Sequence, residues 1–324
     1  MNYIFLRKLI LKVIICISIV ILLKMENIQN ISEIYLKKKI SENLIKKNKK
    51  FLIIFVNHTT CGLFAYYKHY LGCSLKALKN GYIPIIDLKS FPNVFNNFYN
   101  KRIKINPYEY YTLEEVLKNN NNYTTYDCNS HGYHYPKYDI VYNKFALYFW
   151  HVFSKKYMPI KIEIINEAIK IKKKLFNLSN NILGILVRGT DYLFLKPKEH
   201  PIQPELDLIY KDIKKYNKKY NYDFFFLTTE DNSIRTKFIN EFGNKIKFYK
   251  KYQNFNFNIS EKKKLCYFKG ITGNFLFMKT YLINIIILIK CIDIITSMTS
   301  GTIGAFILSE GFRNKIVYNL GLYK

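Results

Sequence analysis

Apolar positions in this chain fall into short runs separated by amphipathic stretches, and the alternation persists from residue 51 almost to the C-terminus. Residues 51–56 (FLIIFV) are an unbroken apolar run of strand length, which predicts a buried strand. A turn-like segment from Asn57 to Gly62 leads into a helical stretch over 63–79, closed by Asn80 and Gly81. A second apolar strand is predicted over 82–87. Strand, helix, strand is the unit of a parallel sheet. Residues 88–150 carry Asn at 119–122 and many Tyr, show no sustained period and read as irregular. A helix is predicted over 160–175, and the Asn-rich segment 177–181 marks a boundary.

Beyond that boundary the alternation is more regular. Strands are predicted over 183–187, 223–228, 246–249, 292–296 and 315–319. Helices are predicted between them over 204–220, 233–242, 274–290 and 302–310. Pro204 opens the first of these, and Leu206, Ile209, Ile213 and Tyr216 share one of its faces. The stretch 274–290 is almost wholly apolar, yet its place between two strands predicts a core helix rather than a membrane span. The pattern thus predicts an α/β chain, with one doubly wound domain over 181–324 and a second α/β domain over 51–180.

Residues 1–24 are different. Their uninterrupted apolar run covers only 13–23, and Arg7, Lys8, Lys12 and Lys24 surround it. A spanning helix needs about 20 apolar residues, and no clear small-residue cleavage site follows this run. An interfacial anchor on an anionic leaflet fits best; a short signal anchor and an extra helix packed on the globular body stay open. Residues 25–50 are polar and Lys-rich and read as a linker or surface helix.

The formal net charge of +28 suggests an anionic partner. However, only five of the 51 basic residues are Arg, and Asn, Ile, Tyr and Phe are also abundant. The charge therefore reads as Lys scattered over exposed faces. No RNP-like motif or zinc-finger spacing supports nucleic acid, which is not expected as a partner. In a chain so poor in Arg, each one is expected to mark a place that needs a planar guanidinium fork. Cys16, Cys61, Cys73, Cys128, Cys266 and Cys291 form no CxxC pair and no Cys/His cluster. They read as free thiols in a reducing compartment, and no metal site is expected.

Ligands of open α/β sheets bind beyond the carboxyl ends of the strands. Three predicted strands of the second half are followed there by Arg188-Gly189-Thr190-Asp191, by Thr228-Thr229-Glu230-Asp231, and by Thr296 through Thr302 at a helix start. Ser300, Gly301 and Thr302 would offer free N–H groups and a positive dipole end to a phosphate. Arg188 opposite them would make bidentate contact with a diphosphate. The acidic side chains would hold ribose hydroxyls or a base edge. A nucleoside diphosphate suits this set.

The same residues resemble the fucosyltransferase superfamily of α-1,6-, α-1,2- and protein O-fucosyltransferases. In the α-1,6 branch a strand ends in His-x-Arg-Arg-Thr-Asp-Lys, with His-Pro-Ile nine residues beyond the Asp. Here Leu186-Val187-Arg188-Gly189-Thr190-Asp191-Tyr192 is followed by His200-Pro201-Ile202 at that spacing. Thr228 through Ser233 is similar to the second motif, Ala-Thr-Asp-Asp-Pro-Ser. Asp293 through Thr302 is similar to the third, and Cys61-Gly62 resembles the glycine-containing loop that faces the donor diphosphate. The resemblance runs over about residues 50–322 and is strongest over 181–310.

The resemblance implies a GT-B-like fold, two Rossmann-like domains facing each other across a cleft. It implies inverting, metal-independent transfer of a sugar from a GDP-sugar, GDP-fucose first, with no other cofactor. Arg188 would hold the donor β-phosphate and steady the leaving group. Glu230 and Asp231 would lie by the nucleoside, and Gly62, Asp293, Ser300, Gly301 and Thr302 would complete the donor site. The motif's His and second Arg are Leu186 and Gly189 here, and its presumed base Glu is Lys196, which leaves Asp191 and Glu199 as candidate bases. The Tyr-rich stretch 123–142, with His131 and His134, reads either as a sugar platform in the acceptor half or as ordinary aromatics. The expected acceptor is an oligosaccharide or lipid-linked glycan, worked on at the cytoplasmic face of a membrane. A catalytically inactive glycan- or nucleotide-binding scaffold is the alternative.

Overall fold

The computed structural model describes residues 50–55, 62–87, 103–106, 109–111, 113–119, 122–127, 136–189, 192, 196, 198–250 and 275–324. The N-terminal anchor and linker through residue 49, Cys61, His131, His134, Thr190 and Asp191 lie outside them.

Two parallel sheets carry the fold. The first is built from β1 (Phe51–Phe55), β2 (Ile83–Ile86) and β5 (Tyr123–Asp127), in the order β2-β1-β5. Four of the five β1 residues are buried, as an apolar run at the centre of a sheet must be, whereas β5 forms an exposed edge rich in Tyr and Thr. Helix α1 (Leu63–Lys79) joins β1 to β2 and buries Tyr67 and Tyr70 completely. A short antiparallel pair, β3 (Ile103–Asn106) with β4 (Glu109–Tyr111), and helix α2 (Leu113–Asn119) precede β5.

The second sheet contains β6 (Ile182–Leu186), β7 (Phe224–Thr228), β8 (Ile246–Lys247), β9 (Asp293–Ser297) and β10 (Asn314–Tyr318). Its order is β10-β9-β6-β7-β8, with every pair parallel. That is the doubly wound arrangement, and its topological switch point falls between β6 and β9. Helices α5 (Leu206–Tyr220), α6 (Asn232–Phe242), α7 (Phe275–Leu288) and α8 (Ser300–Leu308) lie between consecutive strands.

Two helices connect the sheets, one of them outside the sequence expectation. Helix α3 (Lys144–Tyr157) falls in the stretch expected to be irregular; Asn143 caps it by accepting from the Ala146 N–H at 3.0 Å. Helix α4 (Ile162–Phe176) ends on left-handed Asn177 and turns Phe176 against Phe224 and Phe226 of β7. Alternate residues of β6 then serve two cores. Leu183 and Ile185 pack with Ile209 and Ile213 of α5 on one side. Ile182 and Leu186 face the α7 side, in an apolar cluster continuous with Phe51 and Ile53 of the first sheet. Gly184 lets α7 approach, since a Cβ there would stand 2.7 Å from Leu288 Cδ1. Cys73 and Cys291 are buried free thiols, and burial pushes the Cys291 thiol up.

Candidate functional site

The carboxyl ends of β6, β7 and β9 lie side by side: Leu186 is in register with both Thr228 and Thr296. The Val187 N–H donates to Thr228 O at 3.0 Å and carries the ladder one residue further, so Arg188 leaves the sheet at its edge. Arg188 Nε stands 3.4 Å from Glu230 Oε1, and the two side chains are 25% and 13% exposed. The Gly189 N–H donates to the same oxygen at 3.2 Å. One carboxylate therefore holds both the guanidinium and the turn that carries it. Position 189 has no room for a side chain: a Cβ would meet Asp231 Cβ at 2.8 Å and Ile234 Cδ1 at 2.9 Å. The guanidinium carbon lies 5.3 Å from the centre of the Tyr192 ring, which meets His200 edge-on at 5.4 Å.

The turn after β7 is fixed by a residue whose role the sequence did not disclose. Arg235 is buried; it donates to Thr229 O at 2.6 Å and to Asn232 Oδ1. Asp231 caps α6, accepting from the Ser233 N–H at 2.8 Å and the Ile234 N–H at 3.4 Å. Of the two acidic residues here, Glu230 meets Arg188 while Asp231 is engaged by its own helix.

The helix start after β9 is capped by Thr299, which accepts from the Thr302 N–H at 3.1 Å. The buried Thr302 hydroxyl donates to Ser297 O at 2.5 Å and lies 2.9 Å from Thr296 Oγ1. The N–H groups of Ser300 and Gly301 have no acceptor among the described residues. They lie at the positive end of the helix dipole, where free N–H groups can donate to an anion. Tyr281 of α7 stands beside them, since a Cβ on Gly301 would overlap its hydroxyl. Its ring meets Phe64, in the first turn of α1, edge-on at 5.7 Å. Burial raises its hydroxyl to about 12, with Arg188 pulling it down and Glu230 pushing it up. Tyr281, which no sequence motif singled out, is the common neighbour of Arg188, Glu230, Gly301 and the Gly62 end of α1.

The expected set is therefore sorted. Arg188, Glu230, Ser300 and Gly301 come together, and exposed Gly62 begins the helix that brings Phe64 to Tyr281. Thr302 is corrected: both its N–H and its hydroxyl are engaged inside the β9–α8 turn. Asp293 is also corrected. It opens β9, so it lies at the opposite edge of the sheet, wholly buried, accepting from Arg313, Tyr222 and Asn314. Glu199 is exposed with φ +63°, next to His200, and its N–H donates to Tyr323 O at 2.9 Å. Gln203, buried, accepts from the Ser297 hydroxyl at 2.5 Å and ties this loop to the end of β9. Among the described residues no group of three or more His, Cys, Asp and Glu could hold a metal ion.

No family model and no curated protein matches the sequence. Among solved structures, the chain is similar to NodZ α-1,6-fucosyltransferase crystallised with GDP, at 12% identity over 81% of this chain and 93% of that one, with a TM-score of 0.48. It is similar to POFUT1 in complex with GDP at 10% identity, over 84% of this chain and 99% of that one, with a TM-score of 0.47. A complex of POFUT1 with GDP-fucose has 9% identity and a TM-score of 0.38, over 87% of this chain and 78% of that one. At these values the roles of this chain's residues rest on its own geometry.

Proposed function

We propose that this chain is a fucosyltransferase-like glycosyltransferase that takes a sugar from a GDP-sugar, GDP-fucose first, and places it on a glycan hydroxyl. The observation that carries the reading is that Arg188 and the open start of α8 follow adjacent strands at the switch point of the second sheet and share Tyr281 as a neighbour. A guanidinium and two unpaired helix N–H groups suit a diphosphate, whose charge grows as it departs. In the transfer, the bond from sugar C1 to the β-phosphate oxygen breaks, and its electron pair goes to the diphosphate. The acceptor oxygen bonds to C1 from the opposite face and gives its proton to a carboxylate, with Asp191 and Glu199 as the candidates. Arg188 and the helix start neutralise the leaving group without calling on a metal.

The polar pieces of the N-terminal half, and the basic, apolar N-terminal segment of the sequence, suit an oligosaccharide or lipid-linked acceptor at the cytoplasmic face of a membrane. No described helix is long and apolar enough to cross a membrane.

A second reading has its own support. The place of the motif's second Arg is taken by Gly189, and Asp231 and Ile234 close the space a side chain would need. A nucleotide-binding scaffold without turnover would tolerate that closure. The test is release of GDP from a panel of GDP-sugars by the full chain, with and without EDTA and acceptor glycans, beside Arg188→Ala. EDTA-resistant release from GDP-fucose that the substitution abolishes supports the enzyme. Tight GDP binding with no release under any acceptor supports the scaffold. Absence of both refutes the site.

A further inference from the structure

Helix α7 is nearly all apolar, and its few polar side chains have separate tasks. Lys279 pairs with Glu167 at 2.5 Å. Thr280 donates to Leu276 O at 2.8 Å, and Asn284 donates to Tyr249 O at 2.9 Å. The Tyr281 hydroxyl has no hydrogen bond to another described residue, and Asn284 Oδ1 is likewise left without one. Tyr281 is half-buried, and its O–H can donate to a ligand that enters beside it. Its position is also constrained from the other side. Gly301, in the first turn of α8, has no side chain where the hydroxyl stands. Ser300 and Gly301 leave two N–H groups beside it without acceptors, and with the phenol O–H and the nearby Arg188 guanidinium they outnumber the one acceptor named there, the Glu230 carboxylate.

A space in which donors predominate fits a ligand rich in acceptor oxygens. We propose that the Tyr281 hydroxyl donates to an oxygen of the bound diphosphate, completing the seat formed by Arg188 and the Ser300 and Gly301 N–H groups. This rests on the donor reading above and extends it to a residue that no motif marks. The phenol remains protonated, and so remains a donor, across the ordinary pH range, because burial holds its ionisation near 12. The Phe64 contact holds the ring edge-on at 5.7 Å and couples this donor to the first turn of α1. Gly301 is then required for two reasons: its N–H approaches the ligand, and its missing side chain leaves room for the hydroxyl.

The test is calorimetric titration of the full chain with GDP, inorganic pyrophosphate and guanosine, for wild type and Tyr281→Phe. The substitution keeps the ring against Phe64 and removes only the O–H. A hydrogen bond to a charged oxygen predicts roughly tenfold or greater weakening for GDP and pyrophosphate, with guanosine affinity and melting midpoint unchanged. Gly301→Ala, which displaces the hydroxyl, is expected to reproduce the loss. Equal GDP and pyrophosphate affinity in wild type and Tyr281→Phe overturns the proposal. Pyrophosphate binding that depends on Tyr281, with no preference for GDP and no sugar release, sustains it while the donor reading fails. No binding of either phosphate probe by wild type overturns both.

Discussion

The ring of Phe64 fills the space that a side chain on Gly304 would need, and so fastens the first turn of α1 to the middle of α8. Each of these helices begins at the carboxyl edge of a different sheet. Their close approach sets where the Gly62 end of α1 stands relative to the anion seat at Ser300 and Gly301. Gly304→Ala overpacks that seam and is expected to cost about 1–3 kcal/mol in urea unfolding. Phe64→Leu in the same chain should recover part of it, because the two residues share one contact. An equal loss in both backgrounds would show that the seam is not where the strain arises.

Glu230 presents one oxygen to both Arg188 and the Gly189 N–H, which makes it an orienting residue for the guanidinium. Glu230→Gln keeps an acceptor for Gly189 but removes the charge that holds Arg188. Turnover of the donor is expected to fall roughly tenfold, while stability changes by less than about 1 kcal/mol, as for partly exposed pairs. Arg188→Lys keeps the charge and loses the fork, and is expected to fall further. If Lys at 188 supports wild-type release, bidentate contact is not what this position supplies.

Asp293 is a structural residue. Burial alone would raise its carboxyl, but Arg313, Tyr222 and Asn314 more than offset that and hold it below the ordinary carboxylate range. Asp293→Asn is expected to destabilise by about 3 kcal/mol, since it breaks a buried pair while its partners remain. GDP affinity of the folded variant should be unchanged, because β9 separates the two edges by about 13 Å. The sign in acid follows from the lowered value. The contribution is complete above the unfolded value near about 4 and disappears as pH falls through the folded one. Unfolding of wild type and Asp293→Asn should therefore converge only in strong acid, and a constant difference down to that range would disprove the assignment.

The strands and helices of the second half were legible because the strand-length apolar runs are bounded by polar residues and placed in strict alternation with longer helical stretches. The start of α1 and its end at Lys79 were equally plain. Helix α3 was not, because aromatic residues occupy most of its faces and blur the period that separates buried from exposed positions. Strand β5 was hidden for the opposite reason: as an exposed edge it carries no apolar run at all. Arg188 and Glu230 could be read as strand-end residues, whereas their ion pair could not. Asp293 was misplaced because its motif marks the strand and not which end of it meets the ligand. The scarcity of Arg was informative. Arg188, Arg235 and Arg313 each occupy a contact with a carboxylate or a turn. Tyr281 has no local signal, since what distinguishes it is a neighbour twenty positions away in sequence, Gly301.

His151 offers a pH test of the seam between α3 and α8. Its Nδ1 lies 2.8 Å from Ile307 O, which can only accept, so this nitrogen carries the proton and donates. Burial lowers the affinity of the ring for a second proton; the Ile307 bond and Glu310 oppose that, and Lys155 and Lys290 add to it. The net shift is downward from the ordinary value near about 6.5. The unfolded chain therefore takes up the proton first as pH falls, and stability declines below about pH 6.5 until the folded ring also protonates. The slope for one such group is at most about 1.4 kcal/mol per pH unit. His151→Gln keeps a donor of similar length for Ile307 and cannot titrate. Its urea midpoint should be flatter than that of wild type between neutrality and pH 5, with both curves running parallel above neutrality. Identical slopes in the two proteins would place the acid sensitivity of the fold in another group.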